Sequence, residues 1–261
     1  MTSVAEAIRA ALLTGEPRAK VKVTRALVRA WRKGGLAWDF AAAMPDRPAW
    51  PEALELLPAN RMPKRGAGSL RNTIALWHSL AHIEFVAIDL ALDMAGRFGA
   101  DTGRALVDDF LGVAADEAMH FALIDRKLRS LGSAYGILPA HAGLWEAAYD
   151  TRHDVAARLA VVPMVLEARG LDVTPGIRDR VLAQGDSHGA RLLQRILDDE
   201  IRHVAVGAKH FVAISGTSAK DAGTLWKTLV AQHFRGQLKP PFNDSARLTA
   251  GLSRDWYGAV A

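Results

Sequence analysis

The sequence predicts an all-α protein built on a four-helix bundle with one crossover, carrying helical extensions at both ends. Apolar residues recur at spacings of three and four along every long segment, and the period-two alternation of a strand is missing. Four long segments of this kind follow one another between residues 69 and 215. Short breaks pair them as two hairpins, and a longer break at Gly132–Pro139 separates the pairs, long enough for a crossover.

Taken in order, residues 3–14 and 17–34 read as two N-terminal helices. The stretch from 35 to about 69 holds Pro45, Pro48, Pro51, Pro58 and Pro63 with Trp38 and Trp50, and reads as an irregular wrap with its tryptophans tucked in. The first long helix should run from Ser69 to Phe98. The second should start from an N-cap at Asp101 or Thr102 and end near Leu131. The third should run from His141 to Arg169 and stop near Gly170, and Thr174-Pro175 should open a short helix to Ala183. Gly185-Asp186-Ser187 restarts the chain into the fourth, ending near Ser215, and a further helix spans about 218–235 before Pro240-Pro241. This divides the chain into N-terminal helices and wrap (1–60), the bundle (61–216) and a C-terminal helical extension (217–261).

Composition narrows the chemistry. The 261 residues are half hydrophobic, enough for a sizeable core, and contain no cysteine. That removes a disulfide framework, a thiol nucleophile and cysteine-ligated zinc or iron–sulfur centres. Any metal must be held by carboxylate and imidazole. The N-terminus shows no secretory signal, and no stretch of about 18 uncharged apolar residues offers a membrane span, so the expected location is cytoplasmic. The net charge is +5. Part of it is local: Arg18, Lys20, Lys22, Arg25, Arg29, Arg32 and Lys33 follow one another with no intervening acid. A solvated helix face accounts for such a strip, and a phosphate-binding face is the alternative.

Two motifs carry chemistry, Glu117-Ala-Met-His120 and Glu200-Ile-Arg-His203. Glutamate and histidine three apart share a helix face, so each pair suits one ion. One such pair is commonplace, but the spacing around these two is not. Glu84 precedes Glu117 by 33 residues, and Glu167 precedes Glu200 by 33. The offset of 83 between the halves also superimposes Asp89 on Asp172 and Asp116 on Asp199. A turn near Ala100 would set Glu84 and Glu117 level, about 24 Å from the turn at 1.5 Å per residue.

The surroundings of these acids are apolar. Trp77, Leu80, Ala81, Ala87, Ile88 and Ala91 share a face with Glu84, and Glu167 ends Val-Val-Pro-Met-Val-Leu-Glu. A carboxylate buried in such company costs several kcal/mol unless it is paired or bound to a metal. Four carboxylates and two neutral imidazoles balance two divalent ions, and oxygen-rich ligation suits iron, or manganese, better than zinc or copper. The expected ligands are Glu84, Glu117, His120, Glu167, Glu200 and His203. Asp116 and Asp199 are candidates to hold the free N–H of the ligand histidines. Arg169 either supports the site or extends to solvent. His78 and His82 share a face that is not that of Glu84, and read as structural or partner-facing.

The pattern of Glu then Glu-x-x-His, twice, resembles the ferritin-like di-iron carboxylate superfamily. Ala81-His-Ile-Glu-Phe-Val-Ala-Ile-Asp-Leu-Ala-Leu-Asp93, Asp116-Glu-Ala-Met-His-Phe121, Pro139-Ala-His-Ala-Gly-Leu-Trp145, Val165-Leu-Glu-Ala-Arg-Gly-Leu-Asp-Val-Thr-Pro175 and Asp199-Glu-Ile-Arg-His-Val204 resemble, more narrowly, the DUF455 family. The resemblance implies a ferritin-like bundle and a metal site at the six residues named, and it implies no substrate. The function expected first is an oxidoreductase that activates dioxygen to oxidise or hydroxylate an organic substrate. With no Gly-x-Gly-x-x-Gly for a nicotinamide or flavin, its electrons would come from a donor protein. A ferroxidase or iron-handling protein is one alternative, against which the long appendages would obstruct a storage shell. A tRNA-modifying hydroxylase, drawing on the basic strip, is another. Dimerisation is common for such bundles, so a homodimer is a further expectation, whereas iron storage would require a large hollow oligomer.

Overall fold

The computed structural model describes residues 1–63 and 68–258. Residues 64–67, inside the expected wrap, and 259–261, in the expected C-terminal extension, lie outside the described residues. Helices dominate, and the strand-like pairings are two isolated bridges, Ser3 with Ala37 and Leu56 with Ala140. The chain divides into two compact units, residues 1–145 and 146–261.

The first unit contains α1 (Val4–Leu12), α2 (Pro17–Arg32), α3 (Leu70–Thr102) and α4 (Arg104–Ser130). Ser3 and Glu6 form a reciprocal capping box at the start of α1. Glu16 caps α2, whose first residue is Pro17. The long hairpin α3–α4 dominates the unit, with Phe85, Ile88, Leu92, Phe121, Ile124 and Leu128 buried along it. By length and composition α3 is apolar enough to cross a membrane, yet 72% of its most apolar window is buried inside the protein.

The turn of this hairpin is not where the sequence placed it. The first helix continues through Ala100, Asp101 and Thr102, and the reversal falls on Gly103 alone, at φ +88°. Glycine reaches that conformation without the Cβ penalty of other residues. The cap of α4 is therefore Gly103, with no side-chain hydrogen bond, rather than Asp101 or Thr102. The turn lies 19 residues beyond Glu84 and 14 before Glu117, so the even count expected from Ala100 does not hold.

Among its described residues the wrap is irregular apart from a 3-10 turn at Ala59–Arg61. Trp50 is half-buried, whereas Trp38 is 45% exposed, so only one of the two tryptophans is tucked in. Trp50 donates from Nε1 to Asp89 Oδ2 at 3.1 Å. The other Asp89 oxygen accepts from Lys20 Nζ, and both side chains are fully buried. Lys20 Nζ also lies 4.9 Å from the centre of the Phe85 ring. Burial presses both groups toward neutrality: it lowers the Lys20 amine, and it raises Asp89 to about 6 against the opposing pull of Lys20. The pair ties α2 and the wrap to α3.

Helix α5 (Gly143–Asp150) straddles the unit boundary. The second unit continues with α6 (Val155–Val161), a π-helical segment (Val162–Glu167), α7 (Ala168–Ala183), α8 (Ser187–Ser215), α9 (Ala219–His233), α10 (Asp244–Thr249) and α11 (Arg254–Tyr257). The expected third helix is thus two pieces, because Asp154 caps a fresh start at Val155. It also fails to stop at Gly170. Instead α7 runs straight through Pro175, which cannot donate to the carbonyl of Leu171 four residues back. Asn243 Nδ2 supplies that missing donor at 3.1 Å. Asp186 caps α8 through Gly189 N, and Gly216 ends it in the left-handed conformation.

The interior acid of this unit repeats the arrangement of the first. Asp172 takes a two-pronged bond from Arg247, Nε to Oδ1 at 2.8 Å and Nη2 to Oδ2 at 2.7 Å, with Asn243 N also donating at 2.9 Å. Arg247 is buried between the rings of Phe242 and Tyr257. The 83-residue offset therefore relates two buried aspartates, each held by a cation from outside its own hairpin.

Removing one partner of a buried ion pair strands the other, at a cost of about 3–5 kcal/mol. Asp89→Asn should lower the unfolding free energy by that order in urea titration. The double substitution Lys20→Met with Asp89→Leu should recover most of the loss, since replacing both charges leaves none uncompensated.

Candidate metal centre

Three of the expected ligands meet in the first unit. Glu84 projects from α3, and Glu117 and His120 project from one face of α4, a single turn apart. All three are buried, His120 completely. One ligand atom from each lies within 4.8 Å of the others, a group able to hold a metal ion. His120 Nδ1 is 3.3 Å from Glu84 Oε2 and 3.3 Å from Glu117 Oε2. Burial works against charge on His120, but the hydrogen bonds and negative charges of Glu117 and Glu84 outweigh it and raise the imidazole to about 11.

Two buried carboxylates around one imidazole fit a divalent cation well. Two anions converging in a low-dielectric interior need more positive charge than one shared proton supplies, and their donors are oxygen and nitrogen, the set that iron, manganese and zinc accept. Phe85 and Phe121, adjacent in sequence to Glu84 and His120, are buried with ring centres 5.2 Å apart and planes inclined at 56°.

In the second unit Glu200 and His203 lie one turn apart on α8, with His203 Nδ1 3.6 Å from Glu200 Oε1 and both residues buried. Glu167 is half-buried and stands as the last residue of the π-helical segment. That segment begins where Pro163 cannot continue α-helical bonding, and Ala168 N–H reaches back to Pro163 O, five residues away. The widened turn packs on α8, and its fit depends on Gly207: a Cβ there would stand 2.5 Å from Pro163 Cβ. The proline visible in the sequence is thus the origin of the local geometry that presents Glu167.

Of the residues expected around the ligands, Asp199 is buried and accepts from Arg195 Nε at 2.7 Å and from Arg202 Nη2. Asp116 is half-buried on α4. Arg169 reaches the C-terminal segment, donating to Lys239 O at 2.6 Å, and lies 3.5 Å from Asp172. His78 and His82 hold the segment after α4. His78 Nε2 accepts from Gly136 N at 2.9 Å and from Leu138 N at 3.3 Å. His82 Nε2 contacts His141 O at 3.0 Å, which places its proton on Nε2 and leaves Nδ1 to accept from Tyr135 O–H at 2.9 Å.

Reading by motif missed Lys20, Tyr135 and Arg247. Lys20 was legible: on the α2 wheel it falls with Val21, Thr24, Leu27, Val28 and Trp31, all buried, and away from the other basic residues. Tyr135 and Arg247 lie outside any periodic pattern, so only the folded chain brings them to His82 and Asp172.

Residues 13–258 match the family described as "Protein of unknown function (DUF455)". A protein of Haemophilus influenzae, described as uncharacterized, is 39% identical over 227 residues, covering 84% of this chain and 77% of that one. No solved structure matches the chain.

Two outcomes test this geometry. Gly207→Ala should destabilise the protein by about 1–3 kcal/mol in urea unfolding, because the added methyl must push the Pro163 turn away. The second concerns acid. Burial, with the neighbouring His82, lowers His78 from 6.5 to about 4. In that window the unfolded chain binds a proton that the folded one refuses, so stability should fall as pH drops from 6.5 toward 4. His78→Gln, which keeps an acceptor, should flatten that part of the stability curve.

Proposed function

The chain belongs to the DUF455 family, and from that premise we propose that it is a two-metal carboxylate oxidoreductase on a ferritin-like four-helix bundle with one crossover. On this reading residues 61–216 form the bundle, with 1–60 and 217–261 as its extensions. The six residues Glu84, Glu117, His120, Glu167, Glu200 and His203 would hold one pair of ions, iron first and manganese second. The buried convergence of Glu84, Glu117 and His120 carries the proposal. The equal 33-residue spacing in both halves, and the second Glu–His pair on α8, support extending it to six ligands.

Bound there, the ion pair would supply the reduction of dioxygen that oxidation or hydroxylation of an organic substrate requires. The protein's own groups have separate tasks. The glutamates would offset the positive charge of the ions and hold them. His120 would bind as a neutral ligand once its shared proton is lost. Phe85 and Phe121, each next in sequence to a proposed ligand, are buried and apolar. Tyr135 and His82 form a buried O–H to imidazole contact beside these rings, with Phe85 and Phe121 ring centres 5.2 and 5.3 Å from that of Tyr135. A donor protein would deliver electrons.

Elemental analysis of protein purified without added metal should find about two ions of iron or manganese per chain, the complement such bundles hold. Glu117→Ala and Glu200→Ala, made singly, should each lower occupancy of both ions if the halves form one centre. Loss of one ion only from each would mean two independent sites. A folded wild-type chain that stays metal-free and refuses ferrous iron under anaerobic conditions would sink the proposal.

A further inference from the structure

The outer face of α2 is a feature that the metal centre does not use. Arg18, Lys22, Arg25, Arg29 and Arg32 follow one another at steps of three and four, so they form one stripe along the helix. All five are exposed, while the opposite side of the helix is buried. The stripe spans about 21 Å at 1.5 Å per residue, and α2 contains no acid from Pro17 to Arg32. Arg18 alone on this face has a carboxylate within salt-bridge distance, Asp125 at 3.8 Å, among the described pairs.

At its C-terminal end the stripe meets an aromatic surface. Val28, Trp31, Arg32, Arg104, Asp108 and Leu111 line a cleft of about 310 Å³ between α2 and α4. Arg104 lies over Trp31, its guanidinium carbon 4.5 Å from the ring centre. The acid in the cleft is already engaged: Asp108 accepts from Trp31 Nε1 at 2.6 Å and lies 3.8 Å from Arg104. Trp38, 45% exposed, stands 6.0 Å from Trp31 and 4.9 Å from Phe40, centre to centre.

We propose that this stripe and its terminal aromatic cluster bind single-stranded nucleic acid, the arginines on successive phosphates and Trp38 under a base. The choice of occupant follows from the side chains. Four of the five cations are arginines, whose planar fork matches phosphate oxygens on two contacts at once. Stacking of bases on an exposed indole beside a basic track is the usual construction of a single-strand surface. An anionic membrane would call for large apolar side chains beside the cations, and those of α2 are buried apart from the half-buried Val23. The inference is independent of the metal centre, because none of the residues involved is a proposed ligand.

The test is fluorescence anisotropy of a labelled 20-nucleotide oligouridine with the full chain across a salt series. About five phosphate contacts predict a log–log slope near −3.5, at roughly 0.7 per contact. Arg25→Gln, Arg29→Gln and Arg32→Gln together should weaken binding at least about tenfold and flatten the slope by about 2, with metal content unchanged. Trp38→Ala should weaken oligouridine binding with the slope kept, and should leave binding of inorganic polyphosphate unaltered. No salt-dependent binding by the wild type, or equal binding by the triple variant, would overturn the proposal. So would equal weakening of polyphosphate by Trp38→Ala, or wild-type binding to phosphatidylserine vesicles with oligouridine ignored.

Discussion

Charge inside an apolar helical protein must be compensated, and that constraint organises this structure. Asp89 and Asp172 are buried on long helices where water cannot stabilise them. Each is held by a buried cation and by further donors, Lys20 and Trp50 in one case, Arg247 and the backbone of Asn243 in the other. Because the cations come from α2 and α10, the flanking helices are not ornaments on the hairpins. They neutralise the hairpins' interior acids, and the hairpins could not carry those acids alone.

The glutamates obey the same constraint by a different route. Glu84 and Glu117 converge on His120 rather than on a lysine or arginine. An imidazole is a modest counter-ion, but it is a good ligand once neutral, which a guanidinium never is. Asp89 and Asp172 are thus paired with a buried lysine and a buried arginine, whereas Glu84 and Glu117 face an imidazole, the one partner of the three that is a common metal ligand. The internal repeat keeps this division in both halves, since the same offset relates Asp89 to Asp172 and Glu117-x-x-His120 to Glu200-x-x-His203.

The backbone irregularities have identifiable causes. Gly103 compresses a helix reversal into one residue. Pro163 opens the π-helical turn that ends in Glu167, and Gly207 gives it room. Pro175 would interrupt α7, and the side chain of Asn243 repairs the missing hydrogen bond. Local rules read from sequence correctly mark each of these residues as unusual. Whether a proline stops a helix or is carried inside it depends on what the rest of the chain offers in compensation.

The sequence by itself determined the helical class, most helix positions and the candidate ligands, because helix periodicity and three-residue spacing are local properties of the chain. Ser187–Ser215 was legible for that reason, as were the Glu-x-x-His faces. It also contained the burial of Lys20, in the phase of α2, though a strip of like charges drew attention elsewhere. Only the tertiary structure decided where the first hairpin turns, that α7 passes through Pro175, and which cation meets which buried acid. The last two rest on contacts between residues about 70 positions apart, such as Lys20 with Asp89 and Asn243 with Leu171, and no local pattern encodes a partner at that distance.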